Sequence, residues 1–436
     1  MTGTIPLPCY SENSLMPELS PSAAFSRVTS LASLRPVHAA FSWLHGNPKT
    51  IMDWQTEIVS IPAPPRGEEA RARWLAERFR EAGLRDVQID AVHNVLGILP
   101  ASRPGAPPDG SGPLILLSAH IDTVFPAGTP IQPVVDGDRL DAPGASDNAA
   151  GVAGMLAILH ALLRSAIELP ASLLFLGNSG EEGEGDLLGV RHFYRTNPLA
   201  DRVLAHIVLD GPGADAAVTQ ALGSHRFLVT VTGPGGHSFT DAGTPNPIAA
   251  LATALASLSE MPLPEEPRTT LNFGTIHGGI SVNAIPERVD ATVDFRSTDP
   301  AELTRLDAAL RRALDEAISG ANLCAKIAGT DARGLLSVEI AQIGNRPAAV
   351  LPHDSPLLAT LHAVDRHLGL RTDLRLGSTD ANLPLSLGVP ALSMGAGGEG
   401  GGAHTLGEWY SAQGRELALK RILLLTLAML EWAADR

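Results

Sequence analysis

Four short apolar runs each deliver an imidazole or a carboxylate at their carboxyl end, and this repetition constrains the chain more than any other feature. Leu114–Leu117 leads into Ala-His-Ile-Asp at 119–122, and Leu173–Leu176 into Gly-Asn-Ser-Gly-Glu-Glu at 177–182. Val203–Leu209, interrupted by His206, leads into Asp210-Gly-Pro-Gly, and Val389–Met394 into a glycine-rich loop and His404. Continuous apolar runs suit strands buried on both faces, as in a mostly parallel sheet flanked by helices. In open α/β sheets, ligands bind outside the carboxyl ends of the strands. Four such ends together point to one site. The stretch after Asp147, to about Leu163, is apolar almost all round and reads as a helix buried against that sheet.

The remaining pattern sets the organisation. Residues 1–45 carry scattered Pro and Ser without a period and read as a loosely attached leader. A helix is expected over 66–83, with Trp74, Leu75 and Phe79 on one face, charges on the other and Gly83 at its C-terminal cap. A hairpin follows at 87–92 and 94–99. Residues 222–345 alternate differently: strands at 226–232, 269–277, 288–296 and 336–343 enclose helices at 245–260 and from Asp299 to near Gly320. Strand, helix, strand, strand, helix, strand is a ferredoxin-like order, so this segment reads as a domain inserted between 46–221 and 346–436.

Composition removes several function classes. The formal charge is −15, from 47 acidic and 32 basic residues, which repels phosphate backbones and argues against nucleic acid as a partner. Two cysteines, Cys9 and Cys324, exclude a disulfide scaffold or a thiolate-rich metal site. The apolar run Ile422–Leu430 is broken by Thr426 and too short to span a bilayer, so no membrane role is expected. The N-terminus lacks a basic-then-apolar signal pattern, and a cytoplasmic protein is the expectation.

His120, Asp147, Glu182, Asp210 and His404 form a thiolate-free donor set suited to zinc, cobalt or manganese in a hydrolytic site. Two divalent ions about 3.5–4 Å apart need a shared carboxylate. Asp147, on a short loop before the buried helix, suits that bridge, with His120 and Asp210 on one ion and Glu182 and His404 on the other. Asp122 is placed to accept the second N–H of His120 and fix its ring. Glu181 neighbours Glu182 and points elsewhere, so it can act as general base on a water beside the ions.

His-x-Asp at 120–122, Ser-Asp-Asn-x-x-Gly at 146–151, Glu-Glu-Gly at 181–183, Asp-Gly-Pro at 210–212 and the late His404 occur in an order and spacing that resembles one family. It is the co-catalytic di-zinc metallopeptidase family of aminoacylases, acetylornithine deacetylases, glutamate carboxypeptidases and peptidase T-type tripeptidases. The resemblance runs from about residue 50 to the C-terminus and implies the metal ligands and general base named above. It also implies that 222–345 is a lid that mediates homodimerisation. His237, in Gly-Pro-Gly-Gly-His-Ser, matches an oxyanion-stabilising histidine that often acts across a dimer. Asn283 and Arg296 match residues holding the substrate's carbonyl and terminal carboxylate, and Arg346 a further carboxylate-binding arginine.

Departures from the pattern are Ala145 and Ser146 before the bridging aspartate, His93 where Gly is more usual, and the long glycine-rich loop at 395–402. Plainer roles compete: Arg296 could pair only with Asp294, and His160, His192, His206, His225 and His277 read as structural. Trp409 and Tyr410 read as packing residues. The resulting expectation is hydrolysis of an amide bond in a small peptide, with two divalent ions, zinc foremost. An N-acyl-amino-acid deacylase is the alternative. A one-zinc glutaminyl-cyclase-like acyltransferase and a non-catalytic binding shell are more remote.

Overall fold

The four apolar runs are strands, at Leu114–His120, Ser172–Asn178, Val203–Leu209 and Ala391–Met394. Every residue of the first, second and fourth is buried, as non-alternating Leu-, Ala- and Phe-rich runs require when both sheet faces are covered. A computed structural model of the chain describes residues 19–107 and 111–436. It divides into two compact units, residues up to Ala221 with Val350–Arg436, and Leu222–Ala349.

The first unit is an α/β domain around a mostly parallel sheet. Ser172–Asn178, Leu114–His120, Val203–Leu209 and Ala391–Met394 are consecutive parallel neighbours, with His120 opposite Asn178 and Met394 opposite Leu209. The expected hairpin, Arg85–Ile89 with Val95–Leu99, adds antiparallel strands at one edge. Helix Ala149–Arg164 is buried along nearly its whole length, and the C-terminal helix Arg415–Ala434 buries Ile422 through Leu430. Among the described residues, no helix is long and apolar enough to cross a membrane.

Three expectations need correction. Residues 19–45 are not a loose leader: helices Pro21–Ala32 and Arg35–Gly46 bury Val28, Leu31, Val37, Ala40 and Leu44. Their prolines sit in the first helical turns, where the missing N–H costs nothing, so they start helices rather than break them. Residues 1–18 lie outside the described residues. The long helix of the second unit does not close at Gly320; it runs over Pro300–Ala328 and ends at Gly329, whose φ of 69° supplies the left-handed cap. Surrounding Ala and Leu carry the helix through Gly320, whose cost is about 1 kcal/mol relative to Ala. Finally, helix Glu69–Glu81 does not segregate charge from the core as its pattern suggests. Leu75 and Phe79 are buried, but so is Arg71, while Trp74 is half-exposed and donates to Glu57.

In the second unit, four strands lie in the order Thr269–Gly278, Arg288–Ser297, Gly223–Thr232, Ser337–Arg346, all antiparallel. That order is the ferredoxin-like arrangement. Phe227, Val229, Val231, Val293 and Phe295 pack under Leu251 and Leu255 of helix Pro247–Ser259 and Leu306 and Leu310 of the long helix.

His206 interrupts an otherwise apolar strand because its ring is satisfied inside the core. Nε2 lies 2.7 Å from Ser118 Oγ and Nδ1 3.2 Å from Tyr194 Oη, with the ring fully buried. Burial pushes its pKa from the ordinary 6.5 down to about 3. The folded ring therefore stays neutral where the unfolded ring gains a proton, so stability from this group is present above pH 6.5 and is lost as pH falls toward 3. We expect the pH dependence of unfolding free energy between pH 6 and 4 to be shallower in His206→Gln than in wild type, by up to ~1.4 kcal/mol per pH unit. Parallel curves from denaturant titrations would contradict this.

Candidate metal centre

The side chains at the four strand ends meet because their strands are adjacent and parallel, so all carboxyl ends open on the same edge. His120 ends its strand with a ring that is 1% exposed. Its Nε2 lies 3.1 Å from Asp147 Oδ1 and 3.7 Å from Asp210 Oδ1. His404 Nε2 lies 3.1 Å from Asp147 Oδ2 and 3.0 Å from Glu182 Oε1. The two oxygens of one carboxylate thus face two different histidines, each accompanied by a further carboxylate. Donors about 2.0–2.2 Å from a tetrahedral ion stand roughly 3.3–3.6 Å from one another, close to these spacings. His120, Asp147 and Glu182 offer ligand atoms all within 4.8 Å of one another. The donor set therefore fits two divalent ions sharing Asp147.

The electrostatics express the same demand for positive charge. Burial, reinforced by the Asp147 charge, pushes Glu182 up to about 7. Its hydrogen bond to Asp147 raises His404 to about 9. Burial alone would lower His120, but Asp122, Asp147 and Asp210 hold it well above its ordinary value.

The loops carrying these groups are fixed by buried polar contacts. Asn148 donates through Nδ2 to Leu209 O at 2.9 Å and accepts from Gly151 N and Gly211 N at 3.0 and 3.1 Å, tying the Asp147 loop to the strand of Asp210. A side chain at Gly151 would run into Asn148 Oδ1 and Leu209 O, which explains the glycine of Ser-Asp-Asn-x-x-Gly. Asp122, fully buried, accepts the backbone N–H of Glu181 at 3.0 Å and of Glu182 at 2.9 Å. Its Oδ1 is 3.5 Å from His120 Nδ1, so orienting the Glu181–Glu182 turn is its firmer contact. Glu181 is 5% exposed.

Sequence reasoning missed Glu408. Its buried carboxylate accepts from Gly144 N at 2.7 Å, Ser146 N at 2.8 Å, Ser146 Oγ at 2.7 Å and Asp147 N at 2.8 Å. That accounts for Ser146, one of the departures from the family pattern. The sequence signal was slight: one acid four residues beyond His404. His93, another departure, has a φ of 70°, the conformation for which glycine is the usual choice. In the glycine-rich loop, a side chain at Gly395 would strike the carbonyls of Pro212 and Gly213, so at least this glycine is demanded by its own chain. Trp409 stacks on the Arg139 guanidinium at 4.3 Å, and buried Tyr410 donates to Gly397 O at 3.0 Å.

His237, Asn283, Arg296 and Arg346 belong to the second unit. His237 is exposed on the short strand Gly236–His237, and its Nδ1 accepts from the N–H of Phe239 at 3.2 Å and of Thr240 at 3.4 Å. Those contacts leave the ring proton to Nε2, the donor tautomer. Asn283 is exposed and accepts from Ser281 Oγ at 2.6 Å. Arg296 does pair with Asp294, Nε to Oδ2 at 2.8 Å, with its side chain 40% exposed. Arg346 ends the strand Ser337–Arg346 and is buried.

Residues 116–429 match the family model described as peptidase family M20/M25/M40. The uncharacterized protein YqjE of Bacillus subtilis is 24% identical over 368 residues, 81% of this chain and 91% of that protein. A probable carboxypeptidase of Aspergillus clavatus is 30% identical over 275 residues, so the chain spans 58% of that relative's length and the match 57% of its own. Aminopeptidase PepT of Bacillus cereus superposes with a TM-score of 0.69 at 20% identity, over 88% of this chain and 99% of that one, which shows a shared fold.

The arrangement predicts unequal losses on removing ligands. Asp147→Ala should abolish tight binding of both ions, whereas His120→Ala should mainly weaken one, read by metal analysis after dialysis. Two tightly held ions in Asp147→Ala would remove the bridge.

Proposed function

Because the chain belongs to peptidase family M20/M25/M40, a family of metal-dependent peptide and amide hydrolases, we propose that it is an exopeptidase-like enzyme acting on small peptides, with two zinc ions per chain. The observation that carries this reading is the single carboxylate, Asp147, whose two oxygens face His120 and His404 separately. A donor set of imidazole and carboxylate without thiolate supports zinc, with cobalt and manganese as chemically acceptable replacements.

Ions bound there supply Lewis acidity, polarising a scissile carbonyl and acidifying a water. The rest is done by the chain's own groups. Glu181, held by the bond from its backbone N–H to Asp122, takes the proton of the attacking water and later hands it to the departing amine. His237, with its proton on Nε2, donates to the oxyanion, and Asn283 orients the substrate carbonyl. Arg296 and Arg346 read a terminal carboxylate, for which the planar guanidinium fork is suited. Homodimerisation through the second unit is supported by its outer strand Thr269–Gly278, which among the described residues pairs on one side only and exposes Ile276, with Ile280 and Val282 exposed just beyond it. A cytoplasmic enzyme with a peptide substrate, and neither nucleic acid nor membrane as partner, completes the reading.

Glu181→Gln keeps the shape of the side chain and removes its basic oxygen. Turnover should fall by about 10²–10⁴-fold with metal content unchanged at two ions per chain; more than a hundredth of wild-type rate would sink the general-base role. Arg296→Ala should penalise peptides with a free C-terminal carboxylate far more than their amidated analogues. Equal losses on both would mean that Arg296 does not read the carboxylate, and the exopeptidase-like reading would lose its main support.

A further inference from the structure

Arg71 is a charged residue on the buried face of helix Glu69–Glu81, 1% exposed, and it lies outside the motifs of the metal centre. Its guanidinium reaches three loops. Nε donates to Ile61 O at 2.7 Å and Nη1 to Ile121 O at 3.0 Å, while Nη2 has no hydrogen-bond partner among the described residues. Ile121 lies between His120 and Asp122. Nη2 lies under Gly144, 3.8 Å from where a Cβ on that residue would stand. Gly144 opens the Asp147 loop and donates its N–H to Glu408.

A buried guanidinium is costly unless opposite charge compensates it. The acids that act on Arg71 are Asp122 and Glu408. These are the two carboxylates that hold the site together: Asp122 takes the N–H groups of Glu181 and Glu182, and Glu408 takes four donors from residues 144–147. Arg71 meets both loops: Nη1 holds the carbonyl of Ile121, between His120 and Asp122, and Nη2 packs under Gly144, whose N–H is held by Glu408.

We propose that Arg71 is a positioning residue of the metal centre: its bonds to Ile61 O and Ile121 O, and its packing under Gly144, fix the turn that carries His120 and Asp122 against the start of the Asp147 loop, so that both candidate metal-binding loops are formed before any ion arrives. The inference rests on the two-ion reading given above. It differs from a through-space effect in sign. A positive charge near a cation site repels cations, so on charge alone its removal would tighten metal binding. Removal of a positioning group weakens it, and outer-shell partners of metal ligands are typically worth about 10–100-fold in affinity.

The test titrates chelator-treated protein with Zn2+ against a competing chromophoric chelator, for wild type, Arg71→Met and Arg71→Lys, with the melting temperature of each metal-free protein recorded alongside. Arg71→Met should weaken binding of both ions by at least tenfold. Arg71→Lys, which keeps the charge but cannot span Ile61 O and Ile121 O together, should fall between, and it carries the test if the methionine variant does not fold. Arg421→Lys is the control: that guanidinium is buried against Asp365, outside the metal-binding loops, and its loss should lower the melting temperature without moving zinc affinity. Zinc affinity within twofold of wild type in the folded Arg71 variants, or tighter, overturns the proposal even if they melt earlier. Wild type binding no zinc defeats the two-ion reading instead, and the two failures are thereby distinguished.

Discussion

The concentration of negative charge at one edge of the sheet is the constraint on which the first unit depends. Asp147, Glu182 and Asp210 stand around two imidazoles, and their mutual repulsion is tolerable only with compensating positive charge. Buried backbone donors and one buried guanidinium compensate the second layer of acids, Asp122 and Glu408. Among the described residues, the groups that do the same for the Asp147 carboxylate are the two histidines themselves. The fold therefore holds an electrostatic deficit at the strand ends, which is a binding capacity for cations.

That deficit arises from topology. Four parallel neighbours place their carboxyl ends side by side, so residues far apart in sequence, such as His120 and His404, come to share the two oxygens of Asp147. The apolar, non-alternating strands and the buried helix Ala149–Arg164 make this edge rigid, and rigid elements are what a metal site requires to hold donors at fixed spacing.

Much of this was legible in the sequence because it depends on local pattern. Runs such as Leu114–Leu117 announce a doubly covered strand, and the polar residues after each run announce the open edge. The helix after Asp147 and the ferredoxin-like order of the second unit are likewise written in periodicity. What the sequence concealed depends on tertiary partners. Arg71 follows the helical spacing of core positions, yet its charge made it look like solvent-facing surface; only the acids of two distant loops make its burial affordable. Glu408 carries no local signal, because its four donors come from residues 144–147, more than 260 positions away. Pro21 and Pro36 contributed to reading residues 1–45 as a loosely attached leader, although their placement in first helical turns is what starts those helices.

The central claim is that the chain is built around two divalent ions and hydrolyses amide bonds only with them. Titrating chelator-treated wild-type protein with Co2+ while following peptide hydrolysis tests it most directly. The account predicts no turnover at the start, and activity that levels off at two ions per chain. Full activity in the metal-free protein, or a plateau at one ion, would contradict it.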